Sequence, residues 1–212
     1  MRLGHPPFSL RLYRLFRAPV RGLLRLWFGV SVHGLERVPA SGGLVVAANH
    51  ASYADPVLLA AFAPRPLRFM MLRSFWDLPV VGFFCSLFGA FPVSDGRITP
   101  ETVRRCREVL GGGEVLGIFP EGGRSQDGRL RKPRPGAVVM AMAAGVPIVP
   151  VTINGIFEAW PPSRRLPRPG RVTIVFGEPF TEHLACACPD DKERLAALTD
   201  SLMASIGANL DG

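Results

Sequence analysis

Leu44-Val45-Val46-Ala47-Ala48-Asn49-His50-Ala51-Ser52-Tyr53-Ala54-Asp55-Pro56 passes from an unbroken apolar run into a polar turn and then a proline. A short apolar run bounded by a turn reads as a strand buried on both faces, as in parallel sheets. Asp55-Pro56 opens a helix behind it, because the fixed φ of proline suits the first helical turn. His50 and Asp55 stand five positions apart at the strand exit. A carboxylate so placed can hold one imidazole nitrogen as N–H and leave the other to take a proton from a hydroxyl. The same residues also suit a plain helix start, with Asp55 as cap and His50 as an incidental loop histidine. Spacing alone leaves both readings open.

A second stretch repeats the arrangement. Glu114-Val115-Leu116-Gly117-Ile118-Phe119 is strand-like and ends in Pro120-Glu121-Gly122-Gly123-Arg124-Ser125. Two polar clusters thus leave the carboxyl ends of apolar strands, where open α/β sheets collect their ligands. Glycines allow close approach of the backbone, and Arg124 offers a planar fork suited to phosphate. A solvated glycine-rich turn would account for either cluster alone, and less readily for both.

Further apolar runs at 67–72, 89–93, 147–153 and 171–176 alternate with helical patterns at 56–62, 76–88, 100–110 and 136–144. Such alternation predicts an α/β layer fold with a largely parallel sheet. A last helix is expected from Asp191 to Ile206, through Leu195, Leu198 and Leu202. The uncharged window Leu78–Ser94 is broken by Pro79, Gly82, Gly89 and Pro92, so it divides into a helix and a strand rather than a membrane span. Most of Phe83, Phe84, Leu87 and Phe88 are expected in the core.

The 212 residues suffice for one domain with a sizeable core plus an appendage. With 48% hydrophobic and 20% charged residues, the chain is neither disordered nor a multi-span membrane protein. Its net charge of +8 favours acidic partners. Cys85, Cys106, Cys186 and Cys188 form neither a zinc spacing nor a disulfide framework, which suits a reducing cytosol.

Much of the charge sits at the start. Arg11, Arg14, Arg17, Arg21 and Arg25 fall on one arc of a helix at about 100° per residue. Leu12, Leu15, Phe16, Leu23, Leu26 and Trp27 fall largely opposite. Residues 1–30 are therefore expected as an amphipathic helix, bent at Pro19, lying in a membrane interface. The α/β unit, 31–212, is expected to fold without it. No groove-reading motif accompanies the basic face, so nucleic acid is not an expected partner.

Taken together, His50-x4-Asp55 and Phe119-Pro120-Glu121-Gly122-Gly123-Arg124-Ser125 resemble the lysophospholipid acyltransferases that acylate 1-acylglycerol-3-phosphate. Val146-Pro147-Ile148-Val149-Pro150-Val151 and Gly177-Glu178-Pro179 match two further blocks of that family, in the same order. The resemblance implies a mixed, mostly parallel sheet flanked by helices and a peripheral or monotopic enzyme on the cytoplasmic face of the membrane. It also implies an acyl thioester donor, carried by coenzyme A or acyl carrier protein, and a lysophospholipid acceptor that becomes phosphatidic acid. His50 would deprotonate the glycerol hydroxyl, Asp55 orient His50, Glu121 help position the glycerol, and Arg124 bind phosphate beside Gly122 and Gly123. No metal or cofactor is implied. Three positions depart from the pattern: Asp95 stands where an arginine is usual, with Arg97 two places on; Gly123 replaces threonine; Arg73 replaces lysine. These departures keep open another acceptor, such as a lyso-ornithine lipid. A thioesterase and a noncatalytic lipid-binding protein on the same fold are the competing readings.

Overall fold

The computed structural model describes residues 8–93, 99–185 and 191–210. Helix α1 (Leu10–Phe28) leads through β1 (Ser31–His33) to β2 (Leu44–Ala48), followed by α2 (Asp55–Phe62) and β3 (Leu67–Leu72). Next come α3 (Arg73–Trp76), α4 (Pro79–Leu87), β4 (Phe91–Val93), α5 (Pro100–Gly111) and β5 (Val115–Ile118). The chain closes with α6 (Gly136–Ala144), β6 (Ile148–Asn154), α7 (Ile156–Ala159), β7 (Thr173–Phe176) and α8 (Lys192–Gly207).

The seven strands form one sheet in the order β1-β7-β6-β2-β5-β3-β4. All neighbours are parallel except β6 and β7, giving the expected mixed but mostly parallel sheet. Every residue of β2 is buried, because the sheet is covered on both sides. Leu44, Val46 and Ala48 face the cluster beneath α1 and α2, while Val45 and Ala47 face α5, α6 and α8. Register then does the functional work. Ala47 pairs with Ile118, so the loops leaving β2 and β5 emerge side by side at the carboxyl edge.

Gly117 has a packing reason to be glycine. A Cβ there would lie 2.3 Å from the Phe69 ring, so only glycine lets that ring lie flat on β5. The expected helix over 76–88 is interrupted: α3 ends at Trp76 and Pro79 starts α4 afresh. Leu87 enters the core as expected, whereas Phe83 and Phe84 are about half exposed, at 45% and 50%.

Helix α1 runs without a break through Pro19, and its orientation differs from either simple reading of its pattern. Tyr13, Val20, Leu24 and Phe28 pack onto the domain. Three of the arginines reach the domain as well, whereas Arg11 and Arg14 are exposed: Arg17 donates to the carbonyls of Ala61 and Ala63, at the end of α2. Arg21 and Arg25 lie 5.4 and 5.6 Å from the Phe62 ring centroid. Cations there satisfy orphan carbonyls and complement the negative end of the helix dipole. Leu15, Leu23, Leu26 and Trp27 point outward instead, Leu26 being 86% exposed. The helix thus docks through Tyr13, Val20, Leu24 and Phe28 with Arg17, Arg21 and Arg25 beside them, and presents a second apolar row outward.

Tyr13 and Phe28 belong to the core of the α/β unit itself. The Tyr13 hydroxyl donates to the Ala60 carbonyl at 2.5 Å. Tyr13→Phe should therefore cost about 1 kcal/mol, one buried hydrogen bond, and Tyr13→Ala about 3–5 kcal/mol. Urea denaturation checks this; equal midpoints for all three proteins would show that α1 does not stabilise the domain.

Candidate active site

The turn after β2 is built around one buried carboxylate. Asp55 is fully buried, and its Oδ2 accepts from the Ala51 N–H at 2.7 Å, the Ser52 N–H at 2.8 Å and His50 Nδ1 at 2.7 Å. Because Oδ2 already accepts from two backbone donors, His50 Nδ1 is the proton-bearing nitrogen and Nε2 is left as the acceptor. Asp55 is therefore no simple cap: it makes no side-chain cap bond to α2 and turns back towards the loop. Between the two readings that spacing left open, the geometry selects the histidine–carboxylate pair.

The His50 backbone is held from the neighbouring loop on both sides. Its N–H donates to Glu121 Oε1 at 2.7 Å, and its carbonyl accepts from the Ser125 N–H at 2.7 Å. Its ring stacks on Phe119, with centroids 4.1 Å apart and planes 18° from parallel. Phe119 in turn stacks on Phe69 at 6.1 Å. Gly117, Phe69 and Phe119 thus form a wall that fixes the plane of the imidazole. Asn49 ties the preceding residue to β6, exchanging two hydrogen bonds with the backbone of Ile153. Ser52 Oγ donates to the Trp160 carbonyl at 2.7 Å.

Glu121 is turned inward. Oε2 accepts from the Arg131 N–H at 2.9 Å, so both carboxylate oxygens are committed to backbone amides and the residue is 3% exposed. Burial pushes its carboxyl above the ordinary glutamate range, partly opposed by the hydrogen bonds from His50 and Arg131. Gly122 follows with φ of +64°, a conformation costly for any other residue. The Arg124 guanidinium lies 3.4 Å from the Tyr53 ring centroid, and its Nη1 is buried with no hydrogen-bond partner among the described residues. Arg73 stands at the carboxyl end of β3, paired with Asp77 at 3.2 Å. Arg97 and Asp95 lie outside the described residues. His33 is in β1, and His183 Nε2 donates to the Val146 carbonyl at 2.8 Å; both are remote from this turn.

The acyltransferase family profile covers residues 29–154. The chain belongs to the acyltransferase family. The 1-acyl-sn-glycerol-3-phosphate acyltransferase of Bacillus subtilis is 31% identical over 193 residues, spanning 90% of this chain and 93% of that protein. A chloroplastic 1-acyl-sn-glycerol-3-phosphate acyltransferase of Brassica napus is 30% identical over 206 residues, covering 91% of this chain and 59% of that one. The fold is that of the Thermotoga maritima 1-acyl-sn-glycerophosphate acyltransferase PlsC, with a TM-score of 0.74 over 92% of this chain and 80% of that one, at 23% identity.

The residues that hold His50 from a distance were not singled out from sequence. Phe119, Ser125, Asn49 and Ser52 all lie inside the quoted motifs, so their position was the available signal. Arg131 lay in a basic stretch with no motif around it.

The inward Glu121 makes a specific prediction. Glu121→Gln keeps an acceptor for one of the two N–H groups, whereas Glu121→Ala leaves both unmet, each costing about 1–3 kcal/mol. Turnover and denaturation midpoint should fall more for the alanine variant. The wild-type carboxyl, protonated in the fold where the unfolded chain is ionised, should also lose stability as pH rises from the ordinary glutamate range to its higher folded value. The glutamine variant should lack that slope; a slope identical in both proteins would place its origin elsewhere.

Proposed function

We propose that the protein transfers a fatty acyl group from an acyl thioester to the free hydroxyl of 1-acylglycerol-3-phosphate, giving phosphatidic acid. The observation that carries this reading is the 2.7 Å bond from His50 Nδ1 to Asp55, one loop away from Arg124. The names of the relatives support the same acceptor. Coenzyme A or acyl carrier protein would bear the donor.

In this scheme His50 Nε2 takes the hydroxyl proton as the acceptor oxygen attacks the thioester carbonyl. The tetrahedral adduct collapses, the carbon–sulfur bond breaks, and the imidazolium returns its proton to the departing thiolate. Asp55 holds the tautomer and stabilises the imidazolium throughout. Attack is direct, so the chain needs no serine or cysteine nucleophile. Arg124 receives the acceptor phosphate, and Gly122 and Gly123 let it approach the backbone. Glu121 acts on the acceptor through the backbone it braces.

The substrates are lipids, and the outward apolar side of α1 suits a peripheral enzyme resting on the cytoplasmic leaflet. None of the described helices is long and apolar enough to cross a membrane. Replacing Leu23, Leu26 and Trp27 by serine should weaken vesicle binding at every salt concentration, since apolar burial is not screened. Unchanged flotation with vesicles would remove α1 from the interface.

For the reaction, purified protein is given an acyl-coenzyme A and a panel of lysolipids, and the products are identified by mass. Phosphatidic acid should form, and His50→Ala should lower its rate by about two to four orders of magnitude. Acylation of a phosphate-free lysolipid only, release of free fatty acid without a lysolipid, or a folded His50→Ala variant with wild-type turnover would each overturn the reading.

A further inference from the structure

Two more arginines lie on the glycine turn. A Cβ on Gly122 would meet Arg134 at Cδ, Nε and Cζ, at 2.8, 2.9 and 3.2 Å. A Cβ on Gly123 would lie 2.8 Å from Arg131 Nη1. The paired glycines are therefore the ground on which two guanidinium groups rest, and threonine at position 123 would displace one of them. The segment carrying these arginines is tied down where it matters. The Arg131 N–H donates to Glu121 at 2.9 Å, the Arg134 N–H to the Pro120 carbonyl at 2.7 Å, and Arg131 Nη1 to the Arg124 carbonyl at 3.4 Å.

No carboxylate among the described residues is within ion-pair distance of Arg124, Arg131 or Arg134. Glu121 spends both oxygens on backbone amides, and Asp127 is taken by the Ser125 hydroxyl and the Arg129 N–H, both at 3.0 Å. Arg131 and Arg134 thus rest on the glycine turn that carries Arg124, none of the three is in an ion pair among the described residues, and one of their nitrogens, Arg124 Nη1, is buried and unpaired. The turn also abuts the base, since Ser125 is bonded to the His50 carbonyl at 2.7 Å.

We propose that Arg131 and Arg134 join Arg124 in a three-arginine phosphate site, and that this trio stands in for the arginine that the second sequence block lacks. The proposal rests on the function given above, and deepens it by naming what sets the headgroup. A phosphate monoester carries close to two negative charges and three acceptor oxygens, enough to engage several guanidinium groups. In 1-acylglycerol-3-phosphate the carbon bearing the free hydroxyl adjoins the carbon bearing the phosphate, so a phosphate on this turn keeps the hydroxyl near His50. The phosphates of coenzyme A present the same chemistry from the donor side.

The test uses the full chain with Arg131→Gln, Arg134→Gln, the double variant and Gly123→Thr. KM is measured for 1-acylglycerol-3-phosphate and for 1-acylglycerol, and donor KM for acyl-coenzyme A and the corresponding acyl-pantetheine. We expect acceptor KM to rise about tenfold or more per arginine lost for the phosphate-bearing acceptor, as for a lost charged hydrogen bond, and not for 1-acylglycerol. A rise confined to acyl-coenzyme A would uphold the phosphate site and assign it to the donor. Unchanged KM for every substrate, or an equal rise for acceptors with and without phosphate, would overturn it. Should the variants fail to fold, or the wild type show no acyl transfer, phenylglyoxal modification of the wild type decides. Glycerol 3-phosphate should protect Arg131 and Arg134, mapped by peptide mass, if the site exists; no protection would overturn it even where the transfer reaction stands.

Discussion

Asp55 Oδ2 accepts three hydrogen bonds at once, and the shape of the turn after β2 follows from that. A carboxylate with no solvent exposure is tolerated only where donors surround it. Here two successive backbone amides and an imidazole all donate to Oδ2, while the buried Oδ1 has no partner among the described residues; the bonds to Oδ2 fold Ala51 and Ser52 into the turn and fix which imidazole nitrogen carries the proton. The location at the first turn of α2 adds the positive end of a helix dipole. Stability and chemistry draw on the same oxygen.

The second loop completes the arrangement from outside. The β2 and β5 strands are neighbours in register, yet 71 residues separate His50 from Glu121 in sequence. Glu121 bonds the amide of His50 and that of Arg131, so one buried side chain joins His50 to the arginine-bearing segment. Phe119 supplies the wall against which the imidazole lies, and Phe69 and Gly117 supply the wall behind Phe119. His50 is positioned by packing and backbone bonds, the kind of orientation that the proposed base chemistry requires.

What could be read from the sequence was what local pattern encodes. The strand at Leu44–Ala48, the strand at Val115–Ile118 and the His50–Asp55 pair show in composition and spacing, because burial on both faces and proximity along the chain leave local traces. Direction did not show. The pattern of α1 separates arginines from apolar residues but cannot say which residues meet the domain, and Arg17 turns to the domain because the end of α2 offers carbonyls to bond. The inward turn of Glu121 was equally hidden, since it depends on amides ten and 71 residues away. Phe83 and Phe84 read as core by composition, yet the interruption before Pro79 leaves them on an outer face of α4.

Proton abstraction by His50 requires its ring to be held with the proton on Nδ1 and Nε2 bare. Nitrogen NMR of protein labelled at the histidine ring measures this directly, at a pH where the ring is neutral. The predicted result is a protonated Nδ1, its proton shifted downfield by Asp55, beside an unprotonated Nε2, with that pattern abolished in Asp55→Ala. A neutral ring carrying its proton on Nε2 in the wild-type protein would contradict it.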